Sequence, residues 1–550
     1  MARLERNVLL IVNAFKMNMF LNRIFVQLKK NYCLTAAQTK LREMLSKVVG
    51  KGDVSENSKI ITIQCLEDYY FFSLFCALAT TLKTQGNVSF EQYVVRSLNV
   101  GSSQSIANWL KSYLLSNRLT DKKWISLYSL FCNKIAFRAT SPLGYISDIK
   151  LLFISVKIWR NLSSKSDVLK LSWQDVLLGD LIYDSYLRFK PAPTVHIRNF
   201  YMLTVIWQAL RTFKSAKRYF SKTKPSAYFT SYTTYIQHGI PVRVALYLGI
   251  PVYSFSNFQT VAKRLKLDDT KQTASCNTYF SDFQSLDDKD SKLLAAEKQL
   301  QFRIDGGIDT ATAYMAKSAY HANVHTIPNV TNAAVIFLHD FYDSPHIYSW
   351  SLFPDFYDWI CFTIETLTKS KIPFFIKPHP NQIDLSSEVI SQLQAQYPGL
   401  RWLPITATNK RLVDAGITCA ITVYGTVAHE MAFLGIPVIT CGDNPHISFD
   451  FCKNATTHEE YQAYLVSADK LQFDAHQMRA QSLMFYYMHN MHRDPSESLV
   501  MNVTQKLFKL SQTVESGEED TSHLFDTIVG LMEMSEFKTL CSERFGRHLV

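Results

Sequence analysis

The sequence contains ten cysteines but no CxxC pair, and each cysteine stands alone in the chain. This usage excludes the common zinc-binding spacings and gives no sign of a disulfide framework. Cys361 and Cys419 lie inside apolar runs, where a cysteine behaves as a small core residue. The cysteines therefore predict a protein of a reducing compartment, the cytoplasm.

The chain also lacks an uninterrupted apolar run of about 18 residues, which a membrane-spanning helix needs. Residues 8–30 are apolar, but Asn13, Lys16 and Arg23 interrupt them, and no small-residue cleavage site follows. We therefore expect neither a membrane-spanning helix nor a signal peptide. Two interpretations of this segment stay open: the first strand and helix of the fold, or a basic amphipathic element resting on a membrane.

Several catalytic and binding signatures are missing. There is no GxxxxGK[ST] phosphate loop, no GxSxG elbow, no HExxH helix and no GxGxxG turn with the right context. These absences disfavour P-loop enzymes, α/β-hydrolases, zinc proteases of the HExxH type and common dinucleotide-binding domains. No zinc-finger, helix-turn-helix or RNA-recognition motif occurs either, and we expect no nucleic-acid partner.

What the chain does contain is typical of a large globular protein. It has 550 residues, of which 47% are hydrophobic and 19% are charged, enough for two or three domains with their own cores. Its formal net charge is +11. A basic protein suits anionic partners, which here include nucleotide phosphates, an acidic glycan and an anionic membrane surface.

Two stretches share one local pattern. A helix ends at Gly-Ile-Pro and an apolar strand follows, once at 249–251 and again at 435–437. The repeat predicts two related α/β halves with mainly parallel sheets. A strand over 59–65 and a helix over 67–86 fit the first half. The predicted parts are an acceptor domain with a helical lead-in, a polar linker, a donor domain and a helical extension that packs back (1–265, 266–332, 333–490 and 491–550).

The most informative stretch is ITVYGTVAHEMAFLGIPVIT, residues 421–440. A β-branched strand leads to Gly425, Thr426 suits the N-cap of a helix, and Gly435 suits its end. Backbone N–H groups and the positive end of the helix dipole would favour a phosphate at that turn. Glu430 falls on the same face as Thr426, where it can accept hydrogen bonds from sugar hydroxyls. An ordinary strand–helix turn with a solvated Glu430 is the alternative.

A second candidate site follows the strand PFFIK. Lys377 and His379 come at its end, and Pro378 and Pro380 hold the loop rigid. In open α/β sheets, ligands bind at this carboxyl edge. We expect imidazole and ammonium to bind a phosphate there, next to the Gly425 turn at the end of a neighbouring strand.

The loop HDFYDSPH, residues 339–346, is dense in ionisable groups directly after an apolar strand. We expect His339, Asp340, Asp343 and His346 to face an interdomain cleft and contact substrate. The spacing fits no common zinc pattern. A metal site and a plain loop are the other interpretations, and we predict no metal ligand.

The segment GDLIYDSYLR, residues 179–188, offers a catalytic base. Asp180 and Asp184 would lie one turn apart on a helix, opposite a nucleotide held by the second half, where a carboxylate can deprotonate an acceptor hydroxyl. An ordinary ion pair between Asp184 and Arg188 is the alternative. Rival site residues in the first half are Glu67, Asp68 and His238.

Together these motifs resemble bacterial surface-polysaccharide biosynthesis proteins, glycosyltransferases of the GT-B fold that act in capsule and lipopolysaccharide synthesis. The resemblance covers roughly 170–465. It rests on the stretches IKPHPN, YGTVAHEMAFLGIPVI, GDNPH and HDFYDSPH, with GDLIYDSYLR and YIQHGIPVRVALYLGIPVY in the first half.

The His-Pro dipeptide is similar to that of bacterial sialyltransferases, Kdo transferases and polyglycerolphosphate transferases. The resemblance implies that His379 and Pro380 contact the donor phosphate, that Gly425 and Thr426 hold it, and that Glu430 binds ribose. It also implies a cytidine-nucleotide donor. The acidic motif that supplies the base in sialyltransferases has no clear counterpart here.

We therefore expect a metal-independent, inverting GT-B glycosyltransferase without a cofactor. Its donor would be a CMP-linked sugar such as sialic acid or Kdo, and its acceptor a glycan or lipid-linked glycan. The expected location is the cytoplasm, with contact to the anionic inner membrane as a further possibility. Alternatives are a polyol-phosphate transferase, a nucleotide-sugar epimerase and a non-catalytic glycan-assembly subunit.

Overall fold

The computed structural model describes residues 33–50, 57–94, 122–135, 142–190, 192–256, 259–307, 309, 327–380, 382–517 and 520–548. The N-terminal segment 8–30, interpreted above in two ways, lies outside these residues. The strands are β1 (Lys59–Cys65), β2 (Val88–Val94), β3 (Lys134–Ile135), β4 (Ser172–Trp173), β5 (Val176–Leu177), β6 (Ala227–Thr230), β7 (Val252–Ser254), β8 (Lys263–Leu265), β9 (Ala334–Phe337), β10 (Phe374–Lys377), β11 (Cys419–Ile421), β12 (Val438–Cys441) and β13 (Lys453–Ala455).

The α-helices are α1 (Ala36–Leu45), α2 (Tyr69–Gln85), α3 (Lys122–Tyr128), α4 (Pro142–Asn161), α5 (Lys165–Leu169), α6 (Gly179–Phe189), α7 (Phe200–Thr223), α8 (Ile240–Tyr247), α9 (Tyr279–Gln284), α10 (Lys289–Ile304), α11 (Phe356–Lys369), α12 (Asp384–Gln396), α13 (Asn409–Asp414), α14 (Val427–Phe433), α15 (His458–Val466), α16 (Ala475–Tyr486), α17 (Pro495–Ser516), α18 (Thr521–Glu533) and α19 (Ser535–Phe545). Two π-helical turns lie at Tyr235–Gly239 and Tyr487–Met491. No helix among the described residues is long and apolar enough to cross a membrane.

The first sheet has the strand order β3-β2-β1-β6-β7-β8, and its pairs are parallel except for β7 with β8. The central strand β1 is buried from Ile61 onward, as a continuous β-branched run in a covered parallel sheet should be. Helix α2 then ends just before Gly86. The strand predicted over 59–65 and the helix predicted over 67–86 are confirmed.

The second sheet is wholly parallel, in the order β10-β9-β11-β12-β13. Ile336 of β9 pairs with Ile376 of β10 on one side and with Ile421 of β11 on the other. The strands β10 and β11 are therefore not neighbours, contrary to the prediction, because β9 lies between them. Their carboxyl ends are level and roughly 10 Å apart, two strand spacings.

Helices cover both faces of each sheet. One core of the first half contains Ile61 and Phe72 and another contains Tyr183 and Tyr228, while the second half has separate cores on its two faces. Both halves line a cleft, with Asp180 on one side and Ser349 on the other. The protein is thus α/β, of GT-B type, with two Rossmann-like halves and helical extensions, as the sequence predicts.

The segment between the halves and the C-terminal tail are packed rather than loose. Helix α10 lies in the segment predicted as a polar linker, but it buries Ala296 and Leu300 against Tyr486, because apolar residues recur every four positions along it. The tail helices α17 to α19 return to the first half, where Leu524 joins the core of α2. The exact domain boundaries stay a prediction.

Candidate functional site

Lys377 ends β10 and is almost entirely enclosed, with 5% of its surface exposed. Among the residues that the structure describes, none forms a hydrogen bond or ion pair with its ammonium, which lies 5.9 Å from the centre of the Phe337 ring. Burial lowers the pKa of Lys377 to about 8, and the charge of Glu430 partly opposes that shift. A buried cation without a counterion is costly, so this edge of the sheet is suited to receive an anion.

His379 follows two residues later and is half-buried, while Pro380 is exposed. Burial lowers the pKa of His379, Asp340 opposes the shift, and Lys377 adds to it. His379 therefore lies within electrostatic reach of both groups. A neutral imidazole at this position can donate one hydrogen bond to a ligand oxygen without a charge.

His339 lies between the His379 loop and the Gly425 turn. Its Nε2 accepts a hydrogen bond from the Val423 N–H at 3.3 Å, and its ring stacks on Phe356 at 4.5 Å. Burial lowers the pKa of His339 to about 3, and His379 adds to the shift. His339 is therefore a neutral, packed side chain that supports the turn, rather than a charged phosphate ligand.

The Gly425 turn has the expected position at the carboxyl edge but a different cap. A Cβ at Gly425 would lie 3.0 Å from Thr422 Oγ1, so a side chain would crowd the turn. Thr426 precedes α14 with helical dihedrals and makes no capping hydrogen bond; its Oγ1 lies 3.5 Å from the Arg303 guanidinium instead. Gly435, with φ of +83°, follows the end of that helix as predicted.

Glu430 is buried, and both of its carboxylate oxygens are engaged. Arg303 lies 2.7 Å from Oε1, and the Asn409 amide donates to Oε2 at 2.7 Å. A ribose would have to share or displace these partners, so the ribose-binding role stays a prediction. Arg303, from α10, was missed in the sequence because its partner is 127 positions away.

Asp340 also serves the fold in this structure. Its Oδ1 accepts from the Tyr342 N–H at 3.0 Å and from the Ser386 hydroxyl at 2.9 Å, and its Oδ2 accepts from the Ile383 N–H at 3.0 Å. These bonds tie the loop after β9 to the start of α12. With both oxygens occupied, Asp340 is poorly placed to bind substrate directly.

Asp180 is held by two cations. Arg243 donates to both carboxylate oxygens, at 2.6 and 2.5 Å, and Lys271 donates to Oδ2 at 2.8 Å. Burial alone would raise the pKa of Asp180, but Arg243 and Lys271 outweigh it and hold the pKa well below the usual value. A carboxylate so stabilised in its ionised form is a weak base. The geometry thus argues against Asp180 as the catalytic base that the sequence suggested.

Asp184, one turn further along α6, meets the second half of the chain. Its Oδ1 lies 2.6 Å from His346 Nδ1, and both side chains are buried. The alternative interpretation, an ion pair of Asp184 with Arg188, is not among the ion pairs of the described residues. Asp184 and His346 had been predicted separately, and the structure brings them together.

Asp343 and Arg188 lie near this pair. Although Asp343 is exposed, the surrounding protein desolvates its carboxyl and raises its pKa, while the Ser344 N–H and Arg188 oppose the shift. The Tyr424 hydroxyl donates to the Ser344 carbonyl at 3.1 Å. Tyr424 directly precedes Gly425, so the loop that carries Asp343 touches the turn of the candidate anion site.

The first half contributes a polar edge of its own. His238 Nδ1 lies 2.9 Å from the Gln64 amide, and burial lowers the pKa of His238 to about 4. Asp68 caps α2 through the Phe71 N–H at 2.9 Å, and burial raises its pKa against the effect of backbone bonds. Tyr235 begins the π-helical turn with φ of +61°, a strained value of the kind found at functional sites. Glu67 precedes Asp68 on this edge.

A set of hydrogen bonds and ion pairs between the two halves, called here the interdomain seam, was not predicted from the sequence. The Asp355 side chain, fully buried, accepts from the Tyr183 hydroxyl and from Thr194 Oγ1, while Lys165 donates to Asp358 at 2.6 Å. All of these bonds join the first half to the start of α11. Only Asp355 has a local signal, since it caps that helix through the Asp358 N–H.

No group of three or more His, Cys, Asp or Glu side chains in the described part of the chain is placed to hold a metal ion. The prediction of metal-independent catalysis is untested by this observation and stays a prediction.

No protein-family model matches the sequence, and no curated protein matches it. Solved structures with a low similarity to this chain include the UDP-GlcNAc 2-epimerase of Methanocaldococcus jannaschii, in complex with UDP-GlcNAc and UDP. It shares 10% identity and a TM-score of 0.25, over 74% of this chain and 91% of that chain. The UDP-GlcNAc 2-epimerase of Neisseria meningitidis, bound to UDP-GlcNAc, shares 10% identity and a TM-score of 0.18, over 88% and 99%.

The wall teichoic acid polymerase TagF shares 10% identity and a TM-score of 0.19, over 92% of this chain and 99% of the polymerase. Overlaps with TM-scores this low do not support an inference about activity.

Proposed function

We propose that the chain is a glycosyltransferase that moves a sugar from a nucleotide-activated donor to a glycan acceptor. The donor nucleotide would bind the carboxyl edge of the second sheet, and the acceptor would approach from the first half. The motif resemblance favours a CMP-linked sugar such as sialic acid or Kdo, in capsule or lipopolysaccharide synthesis. An inverting, metal-independent reaction is part of this proposal.

The observation that carries the proposal is the buried, unpaired ammonium of Lys377. It lies at the edge where ligands of open α/β sheets bind, and its neighbours Arg303 and Glu430 already satisfy one another. A nucleotide phosphate would supply the missing negative charge. Such an anion would also raise the pKa of Lys377 back toward its ordinary value.

In the proposed reaction, the bond between the sugar and the phosphate oxygen breaks, and that oxygen keeps the electron pair. Lys377 and His379 would stabilise the charge that develops on the departing phosphate, because they are fixed in a site shielded from water. Gly425 keeps this turn tight, because a Cβ there would lie 3.0 Å from Thr422 Oγ1. Losing one such donor typically lowers the rate by about 100- to 1,000-fold.

A basic surface on the first half would face an anionic membrane. On α4, Ile149 and Phe153 are 54% and 72% exposed, and Asp148, the helix's acidic residue, is paired with Arg211. Helix α7 contains no acidic residue. Exposed basic residues on the two helices and just beyond are Lys150, Lys157, Arg160, Lys214, Arg218, Lys222 and Lys224.

Binding to vesicles tests this surface. Sedimentation with anionic vesicles should capture the wild-type chain and a Leu294→Ser control, while Phe153→Ser combined with Lys157→Glu should weaken capture by about fivefold or more. Equal capture of all three proteins, or equal capture by neutral vesicles, would contradict membrane contact at this surface.

The experiment that tests the function combines binding and turnover. Thermal unfolding is measured with CMP, CDP, UDP and GDP, and a panel of nucleotide sugars is assayed for release of each nucleotide. We expect one nucleotide to raise the melting temperature of the wild type and of Lys369→Met, but not of Lys377→Met. His379→Ala should stay folded and lose turnover.

Other outcomes would identify the alternatives. Sugar isomerisation without lasting nucleotide release indicates an epimerase, and release of CMP from a CDP-polyol indicates a polyol-phosphate transferase. A folded His379→Ala that still supports glycan assembly indicates a non-catalytic subunit. No thermal shift with any nucleotide would refute the proposal.

A further inference from the structure

Asp184 and His346 form a carboxylate–imidazole pair that joins the two halves of the molecule. Their side chains meet at 2.6 Å, through His346 Nδ1. Only 2% of Asp184 and 8% of His346 is exposed. Because a carboxylate oxygen accepts, Nδ1 carries the proton, and in the neutral form of the ring Nε2 keeps its lone pair. Nε2 is buried and has no hydrogen-bond partner among the described residues.

An unsatisfied buried imidazole nitrogen is unusual, since such groups normally have a partner. Here one nitrogen is fixed by a carboxylate and the other is left as a free acceptor. The same division of roles is what a general base needs: one group orients the imidazole, and the other side of the ring takes the proton.

We propose that His346 is the general base that removes the proton from the acceptor hydroxyl, with Asp184 as its positioning residue. This inference rests on the proposed function and assigns the base that the sequence left unresolved. The acceptor oxygen forms a bond to the anomeric carbon, the sugar–phosphate bond breaks, and the phosphate keeps the electron pair. The hydroxyl proton moves to Nε2, and Asp184 stabilises the resulting imidazolium.

The surroundings connect this pair to the candidate anion site. The Tyr183 ring contacts the His346 ring edge-on at 5.4 Å, and Lys271 donates to the His346 carbonyl at 2.7 Å. Two residues before His346, the Ser344 carbonyl accepts from Tyr424, the residue before Gly425. Other titratable groups near the pair are Arg188, Asp343 and Tyr235, together with Asp180, which is bonded to Lys271, and Asp355, which is bonded to Tyr183.

The pair also depends on the position of the two halves. Asp184 belongs to α6 of the first half, and His346 to the loop after β9 of the second half. Separation of the halves would break the pair and uncover Nε2, so an acceptor can enter before closure. Closure then assembles the base around a substrate that is shielded from water.

The test uses the full chain with whichever nucleotide sugar it turns over, and water or glycan as acceptor. His346→Gln should lower kcat by about 100- to 10,000-fold, the usual worth of a general base, while nucleotide-induced thermal stabilisation is kept. His476→Gln, an exposed histidine on α16, is the matched control and should keep full activity.

Asp184→Asn tests whether Asp184 orients His346 for catalysis or only stabilises the fold. We expect it to lower kcat with little effect on KM and to change the acid limb of the rate–pH profile, where the base becomes protonated. Asp526→Asn, an exposed carboxylate on α18, should change neither quantity. If His346→Gln does not fold, this variant and the wild-type pH profile still decide the question.

Three results would overturn the inference. Full turnover by a folded His346→Gln would show that another group is the base, and loss with Asp343→Asn alone would assign Asp343. An unchanged pH profile in Asp184→Asn would refute the positioning role. Wild-type protein inactive toward every donor would refute the proposed function itself, which distinguishes that failure from the first three.

Discussion

Two buried charges in this molecule are treated in opposite ways. On α6 of the first half, Asp180 is a single carboxylate held by Arg243 and Lys271, so two cations balance one anion. At the edge of the second sheet, the Lys377 ammonium has no hydrogen-bond or ion-pair partner among the described residues. A buried charge with partners of opposite sign in the protein stabilises the fold, whereas a buried charge without such partners is suited to bind a charged ligand.

The comparison predicts its largest effect at Asp180. Asp180→Ala leaves Arg243 and Lys271 without their shared counterion, and we expect a loss of about 3–5 kcal/mol in the free energy of unfolding. Urea denaturation near neutral pH measures it. A loss below about 1 kcal/mol would show that the ion pairs of Asp180 contribute little to stability, and the contrast with Lys377 would fail.

Lys377→Met should have the opposite sign. The folded pKa of about 8 lies below the ordinary value of 10.5, so burial of the charged form costs on the order of 3 kcal/mol near neutral pH. Between these two values the unfolded chain binds more protons, and wild-type stability from this group rises with pH. The substitution should therefore stabilise the protein below pH 8 and lose that advantage above about pH 10.5.

Urea denaturation of the wild type and Lys377→Met across this pH range gives the comparison, with Lys369→Met as the exposed control. A destabilised Lys377→Met at neutral pH would mean that the ammonium is already satisfied within the fold.

Lys271→Met tests the Asp180 side of the comparison more finely. Arg243 would still bond both oxygens of Asp180, while the bond to the His346 carbonyl would be lost. We expect a smaller loss, about 1.5–3 kcal/mol in unfolding free energy, because a hydrogen bond to a charged group contributes that much. A loss as large as that of Asp180→Ala would show that Lys271, rather than Arg243, carries the pair.

Asp184→Asn should change stability least, by about 1 kcal/mol, since an amide oxygen can still accept from His346 Nδ1. Its main expected effect is a lower kcat. Equal destabilisation by Asp180→Ala and Asp184→Asn would remove the distinction between a structural and a functional carboxylate on α6.

The local structure of the chain was largely accessible from its sequence. The continuous β-branched run of β1 and the Gly stops after α2 and α14 depend on neighbours in sequence, and these predictions are confirmed. The two-sheet architecture followed from the repeated strand–helix pattern. The repeated pattern does not predict the order of strands in a sheet. The position of β9 between β10 and β11 was therefore missed.

The site was harder to predict for the same reason. Lys377, Gly425 and Glu430 were recognised as candidates, but their partners come from distant elements, such as Arg303 of α10. Asp180 and Asp184 have the same spacing and chemistry along α6. They differ in their partners from distant parts of the chain: Arg243 bonds Asp180, and His346 bonds Asp184. These partners make Asp180 a structural carboxylate and Asp184 one that orients a base.

The most direct test of the phosphate site is a calorimetric titration of CMP, CDP, UDP and GDP into the wild type and Lys377→Met, at about pH 7 and about pH 9.5. Because Lys377 is charged below its pKa of about 8, we expect one nucleotide to bind the wild type more tightly at the lower pH. Lys377→Met should bind it at least about tenfold more weakly at the lower pH, with little change between the two. Equal affinity of both proteins at both values would contradict the assignment of this strand edge as the nucleotide-phosphate site.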